Sequence, residues 1–178
     1  MKLIRSLMLV SLVATIVGTA GAQSSIRRGH AHNSVTTSNP AVTQAISSLQ
    51  QDLIAAVAAM KAALPIYEGN RVRSIHAAHA SLVIVDHVMY GKNAAVRPKP
   101  SVTDHVAAKH AKSKYTAQQI EASQESMKQG LAALQAAVKD LQVAEGNTPN
   151  RQGAIVSNHL QKAIQDATTA ISLHANQA

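Results

Sequence analysis

Histidine is the residue type in this sequence whose number and spacing could do chemistry. Nine histidines occur among 178 residues, and His76, His79 and His87 fall within one predicted helix. His76 and His79 are three residues apart, so one helix face could present two imidazoles to a single Cu²⁺ or Zn²⁺ ion. His87 lies three turns beyond His76, about 16 Å along the helix axis, and is the weaker candidate.

An internal repeat adds His159 to this set. A shift of 77 residues aligns Glu68-Gly69-Asn70 with Glu145-Gly146-Asn147. After this turn, a shift of 80 residues aligns Arg71 with Arg151, Ile75 with Ile155, His79 with His159, and Asp86 with Asp166. If a two-fold axis relates the copies, His79 and His159 approach each other. The repeat then predicts a metal or haem site in the bundle, built from His76, His79 and His159. The alternatives are a chance alignment of Ala-rich helices, and histidines that flank an apolar face without forming a site.

The sequence contains no motif of a known catalytic centre. It has no cysteine, which excludes disulfides, thiolate metal sites and a cysteine nucleophile. It also lacks a Gly-x-Ser-x-Gly nucleophile turn, a glycine-rich phosphate loop and a His-Glu-x-x-His zinc motif. The nine acidic residues are spread singly, which argues against paired carboxylates for glycoside hydrolysis. We therefore predict that the protein is not an enzyme.

Residues 1–22 have the pattern of a secretory signal peptide. Lys2 and Arg5 precede an apolar run, and small residues lead to a predicted cleavage site after Ala22. The alternative, an uncleaved membrane anchor, is disfavoured because a span needs about 20 apolar residues. We predict a secreted or periplasmic protein with no transmembrane segment after cleavage. Its mature chain carries 15 basic side chains against nine acids, a net charge of +6.

The remaining chain has the composition of an all-α protein. Small and aliphatic residues dominate, and Phe and Trp are absent, which favours close-packed helices over a β-sandwich. Residues 23–38 are polar and predict a disordered leader. Residues 39–178 predict a four-helix bundle of two tandem αα-hairpins, with hairpin one at 39–90, a connector at 91–115 and hairpin two at 116–175. Asn39-Pro40 and the Thr116/Gln119 capping box mark two helix starts.

Four residues explain the hinge of hairpin one. Pro65 lacks a backbone N–H and ends the first helix, while Gly69 can take a positive φ. Asn70 can cap the second helix with its side-chain oxygen. Tyr67 is expected to pack its ring over the end of the hairpin and to form a hydrogen bond through its hydroxyl group. A structural role therefore accounts for the hinge.

Two arginines open the second helix at an electrostatically unfavourable position. The N-terminus of a helix is the positive end of its dipole, so cations in the first turn are disfavoured. We expect Arg71 and Arg73 to pair with Glu68 or to face solvent.

The connector is the most basic part of the chain. Asp104 is its single acid, and it faces six cations: Lys92, Arg97, Lys99, Lys109, Lys112 and Lys114. Pro98 and Pro100 break regular structure, and a short helix is predicted from Asp104 to Lys114. A solvated loop is the simplest interpretation. The functional interpretation is contact with an acidic surface such as anionic lipid, polysaccharide or nucleic acid.

Three function classes follow from these patterns. The leading prediction is a secreted or periplasmic helical bundle with a binding or structural role, acting through its helical surface or its connector. The first alternative is a histidine-based Cu, Zn or haem binder. The second is an envelope adaptor that forms a homodimer through apolar helix faces.

Overall fold

A computed structural model of the protein describes residues 39–105, 110–146 and 150–175. The predicted signal peptide and the polar leader lie outside these residues. Five helices are present in the described ranges: α1 (Pro40–Ala62), α2 (Asn70–Tyr90), α3 (Ala111–Lys114), α4 (Ala117–Glu145) and α5 (Arg151–Ala175). A 3-10 turn, Gly91–Asn93, follows α2 directly. These ranges contain no strand, which confirms the predicted all-α class, and α1, α2, α4 and α5 form a four-helix bundle.

The helix ends follow from residues with known capping chemistry. The Asn39 side chain accepts a hydrogen bond from the backbone N–H of Ala41 at 3.0 Å, and Pro40 is the first residue of α1. Thr116 and Gln119 form the reciprocal capping box at the start of α4. Of the short helix predicted between Asp104 and Lys114, the structure describes the single turn of α3 at its C-terminal end. Thr103 and Asp104 are not helical and contact Arg71 of α2, and residues 106–109 lie outside the described residues.

Neighbouring helices in the bundle run antiparallel. Helix α1 packs against α2 and α4, and α5 packs against the same two helices. On the α2–α5 side, Ser74 Oγ donates to the carbonyl of Ala163 at 2.7 Å, and Ser81 Oγ reaches the carbonyl of Val156 at 3.5 Å. The C-terminus of α2 and the N-terminus of α4 therefore lie at opposite ends of the bundle, and the connector must cross its length, about 30 Å at 1.5 Å per residue.

The core is aliphatic and closely packed. Its largest buried side chains are Leu49, Leu53, Met60, Ile66, Ile75, Met127, Leu134, Leu160 and the single aromatic Tyr67. Gly130 allows α4 to approach α1 closely, since a Cβ at this position would lie 2.5 Å from Cγ of Met60. Small residues thus set the spacing of the helices, as expected for a chain that lacks Phe and Trp.

Burial differs between positions that the predicted repeat makes equivalent. Arg71 is buried whereas Arg151 is exposed, and Ile75 is fully buried whereas Ile155 is 39% exposed. The two hairpins therefore present different faces to the core at these positions, and the duplication stays a prediction. Within the described ranges, no helix is both long enough and apolar enough to cross a membrane.

Candidate functional site

The connector is tied along the length of helix α2. Residues 94–105, which we call the strap, contain neither helix nor strand and run antiparallel to α2. Three contacts, taken in order along the strap, fix its course: Arg97 to Asp86, Pro100 to His76, and Asp104 to Arg71. The polar residues of α2 thus hold the strap against the groove between α1 and α2.

The strap ends in a buried ion pair. Arg71 Nε donates to Asp104 Oδ1 at 2.8 Å, and the side chains of Arg71 and Asp104 are only 5% and 0% exposed. The guanidinium also donates to the carbonyls of Thr103 (2.8 Å) and Met60 (3.3 Å), while the backbone N–H of Gly69 donates to Asp104 Oδ2 at 2.9 Å. The expectation that Arg71 faces solvent or pairs with a neighbouring glutamate is wrong, because the strap brings in an acid from 33 residues away.

A second ion pair holds the other end of the strap. Asp86 is buried and accepts hydrogen bonds from Gln50 Nε2 (2.6 Å) and from Arg97, whose Nη2 lies at 3.2 Å. Burial raises the pKa of Asp86, but the hydrogen bonds from Arg97 and Gln50 and the positive charges nearby outweigh it. The net pKa lies below the ordinary value, so this carboxylate stays ionised and joins α1, α2 and the strap.

His79 lies under the strap between these two ion pairs. Burial lowers its pKa, and the positive charge of Arg97 adds to that effect, while a hydrogen bond to the backbone of Pro98 raises it. The net pKa is below the ordinary value of about 6.5, so the ring is neutral at pH 7. Its Nε2 atom is buried and makes no hydrogen bond within the described part of the chain.

The predicted metal ligands are only partly brought together. His76 and His79 are electrostatically coupled beneath the strap, but His76 Nε2 contacts the carbonyl of Pro100 at 3.2 Å. His159 is half-buried on α5, and His87 is exposed near the end of α2. Within the described ranges, no group of three His, Asp, Glu or Cys side chains could hold a metal ion. Metal binding stays a prediction.

The connector's cations are placed unequally. Lys92, Lys99 and Lys114 are exposed, and Lys114 Nζ lies 5.7 Å from the centre of the Tyr115 ring. Arg97 is engaged by Asp86 and is therefore a structural residue as well as a cation. Lys109 lies outside the described residues, and Lys112 is a residue of helix α3.

The hinge is held to helix α4 by Tyr67. Tyr67 is fully buried, and its hydroxyl shares a 2.8 Å hydrogen bond with Ser123 Oγ. Burial raises the pKa of Tyr67. Pro65 follows the end of α1, and Gly69 takes a φ of 82° at the N-cap position of α2. Asn70 was expected at that N-cap, but it is the first helical residue, and its amide donates to the carbonyl of Tyr67 at 3.1 Å.

A cleft opens between α1, α2 and the strap. Its volume is about 460 Å³, within the range of about 300–1,000 Å³ that is typical of ligand sites. Three groups of residues line it: Ile54, Val57, Ala58 and Lys61 from α1, His79 and Leu82 from α2, and Arg97 to Ser101 from the strap. Three of the lining residues are cations (Lys61, Arg97 and Lys99), and no acid is among them.

The structure also pairs two acids that sequence reasoning treated as isolated. Asp52 of α1 and Asp140 of α4 lie close enough to interact directly. Burial raises the pKa of Asp52, and the charge of Asp140 and a hydrogen bond between the two carboxyl groups raise it further. Neither acid lines the cleft or a smaller apolar cavity of about 120 Å³ at the end of the bundle. A spacing of 88 residues carries no sequence signal for this pair.

Comparison with protein-family models, curated proteins and solved structures finds no match to this chain. The geometry of the strap and of its cleft therefore carries the functional argument.

Proposed function

We propose that the protein is a secreted or periplasmic, non-enzymatic binding protein whose connector contacts an anionic surface. One observation carries this proposal. The connector's single acid, Asp104, is fully buried in its ion pair with Arg71, so no carboxylate of the connector reaches solvent. Its exposed charges in the described ranges are lysines that form no ion pair there, Lys92, Lys99 and Lys114.

The order of the strap also lowers the entropic cost of binding to such a surface. A flexible basic loop must lose conformational entropy when it binds, at about 1–2 kcal/mol per ordered residue. Contacts with His76, Asp86 and Arg71 already order residues 97–104 in the free protein. Lys99 therefore meets a ligand from a backbone whose course is set before binding.

A charge-matched pair of variants tests the proposal. The connector variant carries Lys92→Gln, Lys99→Gln and Lys114→Gln; the control carries Lys128→Gln, Lys139→Gln and Lys162→Gln, at exposed positions of α4 and α5. Binding to vesicles that contain phosphatidylglycerol is measured at increasing salt, with heparin as a second probe. We expect the connector variant to bind about 100-fold more weakly, since each lysine near an anionic surface contributes about 1 kcal/mol.

The control variant distinguishes binding by a local surface of the connector from binding that is driven by the net charge of the protein. Both variants lose three positive charges, so equal losses of affinity would show that net charge alone drives binding. Binding that does not weaken with salt would also contradict the proposal, because exposed charges are screened over about 8 Å at physiological ionic strength.

The secretory signal belongs to the same proposal. A protein that acts on an envelope surface has to leave the cytoplasm, and residues 1–22 have the pattern that would direct it. Expression of the full chain in a Gram-negative host, followed by N-terminal sequencing of the exported protein, should give Gln23 as the first residue. An exported protein that retains Met1 would contradict cleavage.

Metal binding is the second candidate, and one observation favours it. His79 Nε2 is a buried nitrogen that has no hydrogen-bond partner among the residues the structure describes, and it lies near a second imidazole at His76. Calorimetric titration with Cu²⁺ and Zn²⁺ should then show binding of about one ion per chain, which His79→Ala abolishes and the exposed-site control His110→Ala leaves intact. Binding that is indifferent to His79 would remove this candidate.

A further inference from the structure

The cleft beside the strap combines an apolar wall with a positively charged rim. Ile54 of α1 is 42% exposed, and it shares this wall with Val57 and Leu82. When a ligand covers a large aliphatic side chain that is exposed inside a concave surface, the burial favours binding by about 25 cal/mol per Å² of apolar area.

The charged side of the cleft favours an anion of modest charge. Lys61 and Lys99 are exposed at its rim and form no ion pair within the described ranges, so both ammonium groups are available to a ligand. Arg97 donates through Nε and Nη2 to Asp86, so its planar fork is not open for bidentate binding of a phosphate. No helix in the described ranges begins among the residues that line the cleft, so backbone amides of a helix N-terminus are absent there as well.

From this arrangement we propose that the cleft binds a small organic acid, with its carboxylate between Lys61 and Lys99 and its apolar body against Ile54, Val57 and Leu82. The ligand is a monocarboxylate with an aliphatic or aromatic body, because one carboxylate fits between the two ammonium groups and one apolar wall faces the rest of the molecule.

This site is separable from the anionic surface of the connector. Lys92 and Lys114 belong to the connector but do not line the cleft, whereas Lys61 of α1 lines the cleft but lies outside the connector. Lys99 alone belongs to both. Failure of vesicle binding would therefore leave the cleft proposal standing, and the reverse also holds.

Three ligands that share one alkyl chain test whether the cleft recognises a carboxylate. Calorimetric titration with decanoate, decanol and decylamine, at concentrations below micelle formation, varies the head group alone. We expect decanoate to bind with a stoichiometry of about one per chain, and decanol about tenfold more weakly, as expected for loss of one charged hydrogen bond. Decylamine should bind still more weakly, and acetate should not bind measurably because it lacks the apolar body.

Two matched pairs of variants locate the site. Ala58→Trp fills the cleft from an exposed position of α1, while Ala55→Trp adds the same side chain at an exposed position outside the cleft. Lys99→Gln removes a rim charge, while Lys92→Gln removes a connector charge away from the cleft. We expect Ala58→Trp and Lys99→Gln each to weaken decanoate binding about tenfold or more, and their controls to change it less than about twofold.

Every outcome of this experiment decides the proposal. Decanol binding as tightly as decanoate would show that the rim charges are not used, and equal effects of Ala58→Trp and Ala55→Trp would show that the ligand binds elsewhere. No binding of decanoate would overturn the proposal directly. All four substituted positions are exposed, so circular dichroism of each variant should match the parent protein and confirm that the fold is retained.

Discussion

Replacing Asp104 by alanine should destabilise the protein more than any other single change at the strap. The carboxylate accepts hydrogen bonds from Arg71 Nε and from the backbone N–H of Gly69, and it is fully buried. Its removal leaves a guanidinium that is 5% exposed without a counter-charge, although the carbonyls of Thr103 and Met60 still accept from it. Breaking a buried ion pair from one side costs about 3–5 kcal/mol. Because two carbonyl partners remain, we expect about 3 kcal/mol.

Urea unfolding followed by circular dichroism measures this loss. A domain of this size has a total stability of about 5–15 kcal/mol, so a loss of 3 kcal/mol moves the midpoint well beyond experimental error. Asp86→Ala serves as the comparison, since its partner Arg97 is 32% exposed and can turn to water. We expect that variant to lose less stability than Asp104→Ala, because the cation left behind is rehydrated.

The double variant Arg71→Met, Asp104→Ala gives the sharpest test. Removing both charges leaves no buried ion to desolvate, and an apolar replacement of a buried pair is often neutral. The double variant should therefore be more stable than Asp104→Ala alone. A double variant that is less stable than either single variant, or a loss below about 1 kcal/mol for Asp104→Ala, would refute the view that the strap is held by a desolvated ion pair.

Three further predictions concern the bundle and its response to pH. Gly130→Ala should destabilise the protein by about 1 kcal/mol, because its clash with Met60 outweighs the helix propensity that alanine adds. Asp52→Asn should stabilise it by about 0.5 kcal/mol at pH 7, since it removes repulsion from Asp140. Stability should fall as the pH drops below about 6.5, because the unfolded chain binds the proton of His79 more tightly than the folded chain does.

Urea unfolding at several pH values checks all three. Gly130→Ala is compared with Ala132→Gly, which tests helix propensity at an exposed position of the same helix. The gain from Asp52→Asn should shrink as the pH falls, because the raised pKa of Asp52 means that its carboxylate is protonated, and the repulsion lost, earlier than in an ordinary aspartate. His79→Gln should remove the loss of stability near pH 6.5; persistence of that loss would assign it to another histidine.

The sequence predicts the helices better than it predicts the path of the connector. The caps at Asn39 and Thr116 act through atoms within three residues of each other, so a local pattern is sufficient to find them. The close approach at Gly130 has a local signal as well, since a glycine inside a strong helical pattern invites a packing explanation.

The strap could not be predicted because its contacts depend on tertiary structure. Arg71 did carry a signal, since a cation in the first turn of a helix needs a partner to offset the helix dipole. Its partner Asp104 lies 33 residues away, and nothing in the sequence selects that acid over Glu68. The histidines illustrate the same limit. Their spacing indicates a shared helix face, but only the structure shows that the strap covers this face at Pro98 and Pro100.

The strap also has a consequence for the order in which the protein folds. Its described polar ties join residues that are 11 to 35 positions apart, from Arg97 with Asp86 to Gly69 with Asp104. The hydrogen bond between Ser74 and Ala163, by contrast, spans 89 residues. Short loops close at lower entropic cost and form earlier. We therefore expect residues 39–105 to assemble first, as a template on which the second hairpin docks, so that the N-terminal half gains structure while the chain is still being synthesised.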